Sequence, residues 1–313
     1  MTTLVTESPE EAASFIRSGG IAAFPTETVY GLGADAFDAD AVRKVFEAKG
    51  RPADNPLIVH VADAEQIDLV VDTLPGSARA LMEHFFPGAL TLVLPKSNRI
   101  PAIVTAGLQT VGVRMPGLPR TLAFLGACGR PVAAPSANRS GRPSPTTWEA
   151  VLDDLDGRIP CVLRGERSRV GLESTVVDCS TGTPVILRAG AISVDLLRGV
   201  VSTIEGPRSD TIARSPGMRH RHYAPQAHVV LVRRAPALPS GRPAYIGLEP
   251  PLLPDAYRIL KTPATKEAYA YELFDFMRRC DAEHVDVIYC QEVDAEGVGL
   301  AIMDRLRRAA AAH

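Results

Sequence analysis

No stretch of this sequence approaches the roughly 18 consecutive apolar residues that a helical membrane span needs, and the polar start Met1 to Pro9 has no signal-peptide core. A helical span is therefore not expected, and the default address is the cytosol. A basic excess is missing too: 34 Lys and Arg against 36 Asp and Glu leave a formal net charge of −2. That balance is a poor match for a protein that coats nucleic acid, because neutralising phosphates takes a concentration of positive charge. Strong direct nucleic-acid binding is not expected, and any phosphate chemistry must use local cations. The phosphate loop G-x-x-x-x-G-K-[ST] is absent. Cysteine is scarce: Cys128, Cys161, Cys179, Cys280 and Cys290 are odd in number, scattered and never in C-x-x-C spacing. This removes the usual zinc and dithiol frameworks and points to reduced, mostly buried thiols. Internal repeats and low-complexity tracts are absent as well.

What is present is an ordinary globular balance, 46% hydrophobic and 22% charged. A length of 313 residues suits two compact units and a linker. Ser8-Pro9-Glu10-Glu11 supplies a helix cap, a first-turn proline and a capping-box glutamate, and Gly19-Gly20 ends that helix. A strand, Ile21 to Phe24, follows, and Pro25 to Gly33 reads as a loop, having too many glycines and threonines to continue either element. Val42, Val45 and Phe46 mark a helix that delivers Lys49 at its end and Arg51 just beyond Gly50. Further short strands and helices alternate to Arg188, which predicts an α/β domain with a large mixed sheet. Asp153, Asp154 and Asp156 read as a solvated acidic helix end. From Gly206 to Gln226 periodicity vanishes and Pro, Arg and His accumulate, the mark of a linker. Beyond it, strands Val229 to Val232, Ala244 to Leu248 and Val285 to Cys290, with helices Thr265 to Cys280 and Leu300 to Ala310, predict a smaller Rossmann-like α/β unit.

Three clusters have the composition of a site. Pro25-Thr26-Glu27-Thr28-Val29-Tyr30-Gly31-Leu32-Gly33 follows a strand, and its hydroxyls suit a small polar substrate as well as they suit an ordinary turn. Gly31, Gly33 and Ala36 satisfy G-x-G-x-x-A formally but do not open a helix, which argues against a dinucleotide site. Lys49-Gly50-Arg51-Pro52, continuing to Asn55 and His60, is either a complement to a helix dipole or a phosphate seat. His60 at a strand end, read on its own, is more often a structural histidine than a functional one. Pro135-Ser136-Ala137-Asn138-Arg139-Ser140-Gly141 to Thr146 offers hydroxyls, an amide and backbone donors, as anion-binding loops do. Arg114 and Arg188 each end an apolar strand, where an arginine is either paired structurally or faces an anion.

In order along residues 8–205, PTETVYGLG, KGRPADNPLIVHV, GALTLVLP, VGVRMP, PVAAPSANRSG, ESTVVD and ILRAGAI resemble the Sua5/YrdC family of threonylcarbamoyl-AMP synthases. Ser215 to Met218, Arg221 to Pro225 and Gly297 to Met303 resemble its longer, two-domain Sua5 type. The resemblance implies a YrdC-like twisted mixed sheet with a concave nucleotide cavity in residues 1–206, a linker or lid in 207–227 and the C-terminal domain in 228–313. It implies a nucleotidyltransferase that forms threonylcarbamoyl-AMP and pyrophosphate from L-threonine, bicarbonate or CO2, and ATP with Mg2+, for a tRNA threonylcarbamoyltransferase complex that modifies adenosine 37. Carried over by motif, Lys49, Arg51, Ser136 and Asn138 surround the phosphates, Lys49 and Arg51 as the catalytic pair. Asn55, Thr110, Ser144, Arg188 and Tyr223 are further nucleotide positions, and Thr28, His60, Arg114, Ala134 and Ser174 surround L-threonine. No side chain is expected to hold the metal, which the ATP phosphates carry. Ala189 replaces an expected proline, Arg219-His220 replace Lys-Tyr and Asp304 replaces Asn. Two rival readings are less well matched: an RNA-binding module by its charge, and the carbamoyl-transfer proteins of hydrogenase maturation by the lack of a cysteine-rich zinc module. The intact K-x-R and S-x-N pairs speak against a silent regulator.

Overall fold

The computed structural model describes residues 2–205 and 223–311, so the motifs expected at Ser215 to Met218 and Arg219 to His222 lie outside the described residues. The first helix, Pro9–Arg17, forms as its cap dictates: the Ser8 side chain accepts from the Glu11 amide, and Pro9 opens the first turn. The site helix, Ala39–Lys49, is capped by Asp38 and stopped by Gly50 in the left-handed region at φ 62°.

Ten strands form the first sheet: β1 (Leu4–Thr6), β2 (Ala22–Phe24), β3 (Gly31–Asp35), β4 (Ile58–His60), β5 (Leu90–Pro95), β6 (Thr110–Arg114), β7 (Val132–Ala134), β8 (Cys161–Leu163), β9 (Thr175–Asp178) and β10 (Val185–Arg188). Their order is β1-β8-β2-β3-β7-β4-β6-β5-β9-β10, with parallel and antiparallel neighbours mixed. The period-2 geometry of strands gives this sheet two buried faces. Ala23, Ala133 and Val162 point into one apolar cluster with Val42, Val45, Phe46 and Leu81. Their neighbours Ala22, Phe24, Val132, Ala134, Cys161 and Leu163 join a second cluster with Ile16, Phe124 and Leu125.

The glycine-rich loop read from the sequence is shorter than expected, because Gly31 to Asp35 is a wholly buried strand. The glycines there serve close packing. A Cβ at Gly31 would stand 2.9 Å from the Phe24 ring, and one at Gly33 would stand 2.9 Å from that ring and overlap the Val132 side chain. Gly33→Ala is therefore expected to cost about 1–3 kcal/mol, the usual penalty for overpacking, measured as a lower urea midpoint at unchanged slope.

The second sheet contains β11 (His228–Val232), β12 (Pro243–Ile246), β13 (Ile259–Lys261) and β14 (Val287–Gln291), all parallel in the order β11-β14-β12-β13. Helices Lys266–Ala282 and Gly299–Ala310 pack on it. The strands β1 and β13 were not read from the sequence. All five cysteines are buried and free.

The acidic helix end is the clearest correction. Asp154 is not a solvated group: its side chain is fully buried and receives Arg278 at 2.8 Å, Arg142, and the Arg139 amide at 3.1 Å. Arg278 comes from the second unit and also donates to the Pro143 carbonyl at 2.6 Å. Arg167 makes a parallel connection to Glu272 at 3.3 Å. The apolar contact is shared too, since Val29 and Leu172 of the first unit lie in the second unit's core beside Tyr269, Leu273 and Phe274.

Candidate active site

The strand ends at one end of the large sheet carry the candidate residues. His60 ends β4 and Arg114 ends β6, paired in register across parallel strands, while Ser174 precedes β9 and Arg188 ends the antiparallel β10. Above them lie the Pro25 to Tyr30 loop and the Pro135 to Pro145 loop. Backbone bonds hold these loops together, from Tyr30 N to Pro145 O and from Ala137 N to Tyr30 O, at 2.9 and 2.8 Å. Between them opens a cavity of about 660 Å3, counting its mouth, in the size range of small-molecule sites.

Of the residues named from the sequence, Thr28, Arg51, His60, Arg114, Ala134, Ser136, Asn138, Ser144, Ser174, Arg188 and Tyr223 line this cavity. Lys49, Asn55 and Thr110 do not. Thr110 starts β6, at the opposite end of the strand from Arg114. Asn55 is buried in the loop before β4, where its carbonyl accepts from Arg51. Lys49 lies behind the wall, where its ammonium donates to the carbonyls of Ser136 and Asn138, both at 2.5 Å. Burial, with the Arg51 charge adding to it, pushes the Lys49 pKa well below its ordinary value.

One end of the cavity is rich in hydroxyls. Arg114 is fixed there by three partners: Nη1 donates to Thr28 Oγ1 at 2.7 Å, Nε donates to Gly88 O at 3.1 Å, and Nη2 pairs with Glu27 at 2.8 Å. Thr28 Oγ1 also meets Thr26 Oγ1 at 2.8 Å, and Ser174 Oγ meets Thr91 Oγ1 at 2.7 Å. His60 stands edge-on to Phe24, and burial beside Arg114 pushes its pKa down to about 3, so the imidazole is neutral at physiological pH. Its buried Nδ1 has no hydrogen-bond partner among the described residues.

The other end is cationic. The buried Nε of Arg51 has no hydrogen-bond partner among the described residues, and Nη2 makes only long bonds, 3.3 and 3.4 Å, to Asn55 O and Pro56 O. Burial pushes its pKa down to about 10, which leaves it charged near neutrality. The Ser136–Asn138 turn is rigid: Ser136 Oγ donates to Asn138 Oδ1, whose amide in turn donates to the carbonyls of Arg139 and Arg142 at 2.9 Å. Arg188 donates to Ser174 O through Nε and Nη2, at 3.1 and 3.0 Å. Tyr223 covers this end in the left-handed region at φ 65° and stacks on Phe274 of the second unit at 5.3 Å. Such a conformation is uncommon for a bulky residue and persists only where surrounding contacts hold it.

The sequence reading missed Glu173, the acidic residue of the lining. It accepts from Ser144 Oγ at 2.6 Å and from Arg305 Nε at 3.1 Å. Burial opposes its charge, but Arg305 and Arg188 outweigh burial and hold its carboxyl below the ordinary range. Its adjacency to Ser174 within ESTVVD was the available signal.

Comparison with known proteins agrees over the whole chain. The Sua5/YciO/YrdC family model, described as telomere recombination, matches residues 14–190. A model described as the threonylcarbamoyl-AMP synthase C-terminal domain matches residues 192–311. A threonylcarbamoyl-AMP synthase of Pyrococcus abyssi is 44% identical over 317 residues, covering 95% of this chain and 92% of the relative. One of Bacillus subtilis is 42% identical, covering 98% and 94%. The crystal structure of P. abyssi Sua5 complexed with L-threonine aligns with a TM-score of 0.89 at 40% identity, covering 99% of this chain and 97% of that one. With both models matched in sequence order and the solved relative superposing along nearly its full length, the chain belongs to the Sua5/YciO/YrdC family, in the form that carries the Sua5 C-terminal domain.

Proposed function

We propose that this chain is a threonylcarbamoyl-AMP synthase, a nucleotidyltransferase joining L-threonine, bicarbonate or CO2, and ATP with loss of pyrophosphate. The supporting observation is one cavity with a hydroxyl-lined end around Arg114 and a cationic end around Arg51 and Arg188. In this reading residues 1–206 are the catalytic unit, 207–227 the linker or lid and 228–313 the C-terminal domain. The adenylate passes to a tRNA threonylcarbamoyltransferase complex.

The threonine amine adds to CO2 with loss of a proton, or condenses with bicarbonate with loss of water, to give a carbamate, whose oxygen attacks the α-phosphorus while the α–β phosphoanhydride bond breaks and pyrophosphate leaves. An anion must approach an anion, so charge neutralisation and positioning dominate the barrier. Arg114, already fixed by Thr28, Gly88 and Glu27, receives the threonine carboxylate through its remaining N–H groups. Thr28, Ser174 and the neutral His60 read the hydroxyl side chain. Arg51 and Arg188 face the phosphates beside Ser136, Asn138 and Ser144. Lys49 acts from behind, holding the turn by the carbonyls of Ser136 and Asn138. Magnesium enters as part of the substrate MgATP, because Glu173 is engaged by Ser144 and Arg305 and the phosphate oxygens are left to carry the ion.

Pyrophosphate release should require threonine and bicarbonate together, and omission of either should reduce it to background. Valine, lacking the hydroxyl, should react at least about a hundredfold less efficiently than threonine, and serine should fall between them. Release that continues without threonine would overturn the proposal.

A further inference from the structure

The wall of the cavity contains a carboxylate at the end where a polyphosphate is to bind. An isolated negative charge there would repel ATP, and it would attract Arg188, the cation that donates to Ser174 O at 3.0 and 3.1 Å. Glu173 is instead paired with a residue that comes from the second unit and does not itself line the cavity. Arg305, on helix Gly299–Ala310, is the largest fully buried side chain of the described residues. Its Nε donates to Glu173 Oε2 at 3.1 Å, and its Nη1 donates to Ala189 O at 2.6 Å, the carbonyl directly after Arg188. Its guanidinium lies 5.7 Å from the centre of the Tyr223 ring. Asp304 adds an oxygen 3.1 Å from Nη1. One side chain thus touches Glu173, the β10 end that carries Arg188, and the ring that covers the nucleotide end.

Building on the proposed synthase activity, we propose that Arg305 is a positioning residue for the ATP end of the cavity. It neutralises Glu173 and fixes the acceptor on which the Ser144 hydroxyl is held. A fully buried arginine whose partner is a cavity-wall carboxylate has a distinctive signature on removal: the partner is left charged and uncompensated inside the site. Loss of Arg305 should therefore damage ATP binding through the stranded Glu173 charge. If Arg305 only joined the two units, its loss would be indifferent to that charge.

The test uses the full chain and steady-state pyrophosphate release. Wild-type protein must first show turnover that depends on threonine and bicarbonate, and failure at that stage counts against the synthase reading alone. Arg305→Met should raise KM for ATP about 10- to 100-fold, with KM for threonine changing less than about threefold. Adding Glu173→Gln to that variant removes the stranded charge and should recover about tenfold of the lost ATP affinity. An unchanged KM for ATP in Arg305→Met overturns the proposal. So does a loss that affects threonine and ATP alike and that Glu173→Gln fails to relieve, which is the signature of loosened units. Should Arg305→Met alone not fold, Arg305→Lys and the double variant carry the test, since neither strands the charge. Both should keep ATP KM within about tenfold of wild type, and a larger rise in folded protein overturns the proposal.

Discussion

Arg51→Ala is expected to lower kcat/KM for ATP about 10^2- to 10^3-fold, the usual cost of removing a preorganised donor from developing charge. The geometry makes the loss specific. Arg51 lies just past a helix stopped by Gly50, its Nε lacks a partner among the described residues, and its long bonds to Asn55 O and Pro56 O leave donors for an anion. Arg188, the other cation assigned to the phosphates, already donates twice to Ser174 O. Arg51→Lys keeps the charge but loses the planar fork, so it should recover only part of the rate. Initial-rate measurements over a range of ATP at saturating threonine read both variants. A rate within threefold of wild type for Arg51→Ala would remove Arg51 from the phosphate site.

Asp154→Ala should destabilise the protein by about 3–5 kcal/mol, the usual cost of breaking a buried ion pair. The change leaves Arg278 and Arg142 without the carboxylate they share, and it orphans the Arg139 amide. Arg139 and Arg142 belong to the loop that carries Ser136 and Asn138, and their carbonyls accept from the Asn138 amide. ATP affinity should therefore fall as well, although Asp154 lies outside the cavity lining. Urea unfolding, with nucleotide binding measured in parallel, checks both effects. Stability within 1 kcal/mol of wild type would mean that solvent readily replaces this buried network.

Much of this architecture was legible because the decisive signals were local. Ser8-Pro9-Glu10-Glu11 wrote its own cap, Gly50 marked the stop after Lys49, and most strands up to β10 announced themselves as short apolar runs. The strand β3 was misread because Gly31 and Gly33 look like turn residues, when their purpose is to admit the Phe24 ring and the Val132 side chain. Asp154 was misread because a carboxylate on a polar helix end looks solvated until its partners arrive, one of them 124 residues later in the chain. The site residues that motifs bring forward gather round one cavity, with Lys49, Asn55 and Thr110 set outside its lining. Arg305 had no local signal at all, since its meaning depends on Glu173, 132 residues away.

Val29 stands between Thr28 and Tyr30 in the loop that lines the hydroxyl end, yet its side chain belongs to the apolar interior of the other unit. The substrate loop is thus anchored in foreign oil. Loosening of the C-terminal unit should reach this loop through Val29. Heat or denaturant should therefore extinguish amino-acid binding and melt the distal helices in a single step, and excising the C-terminal unit would leave this loop with an uncovered greasy underside.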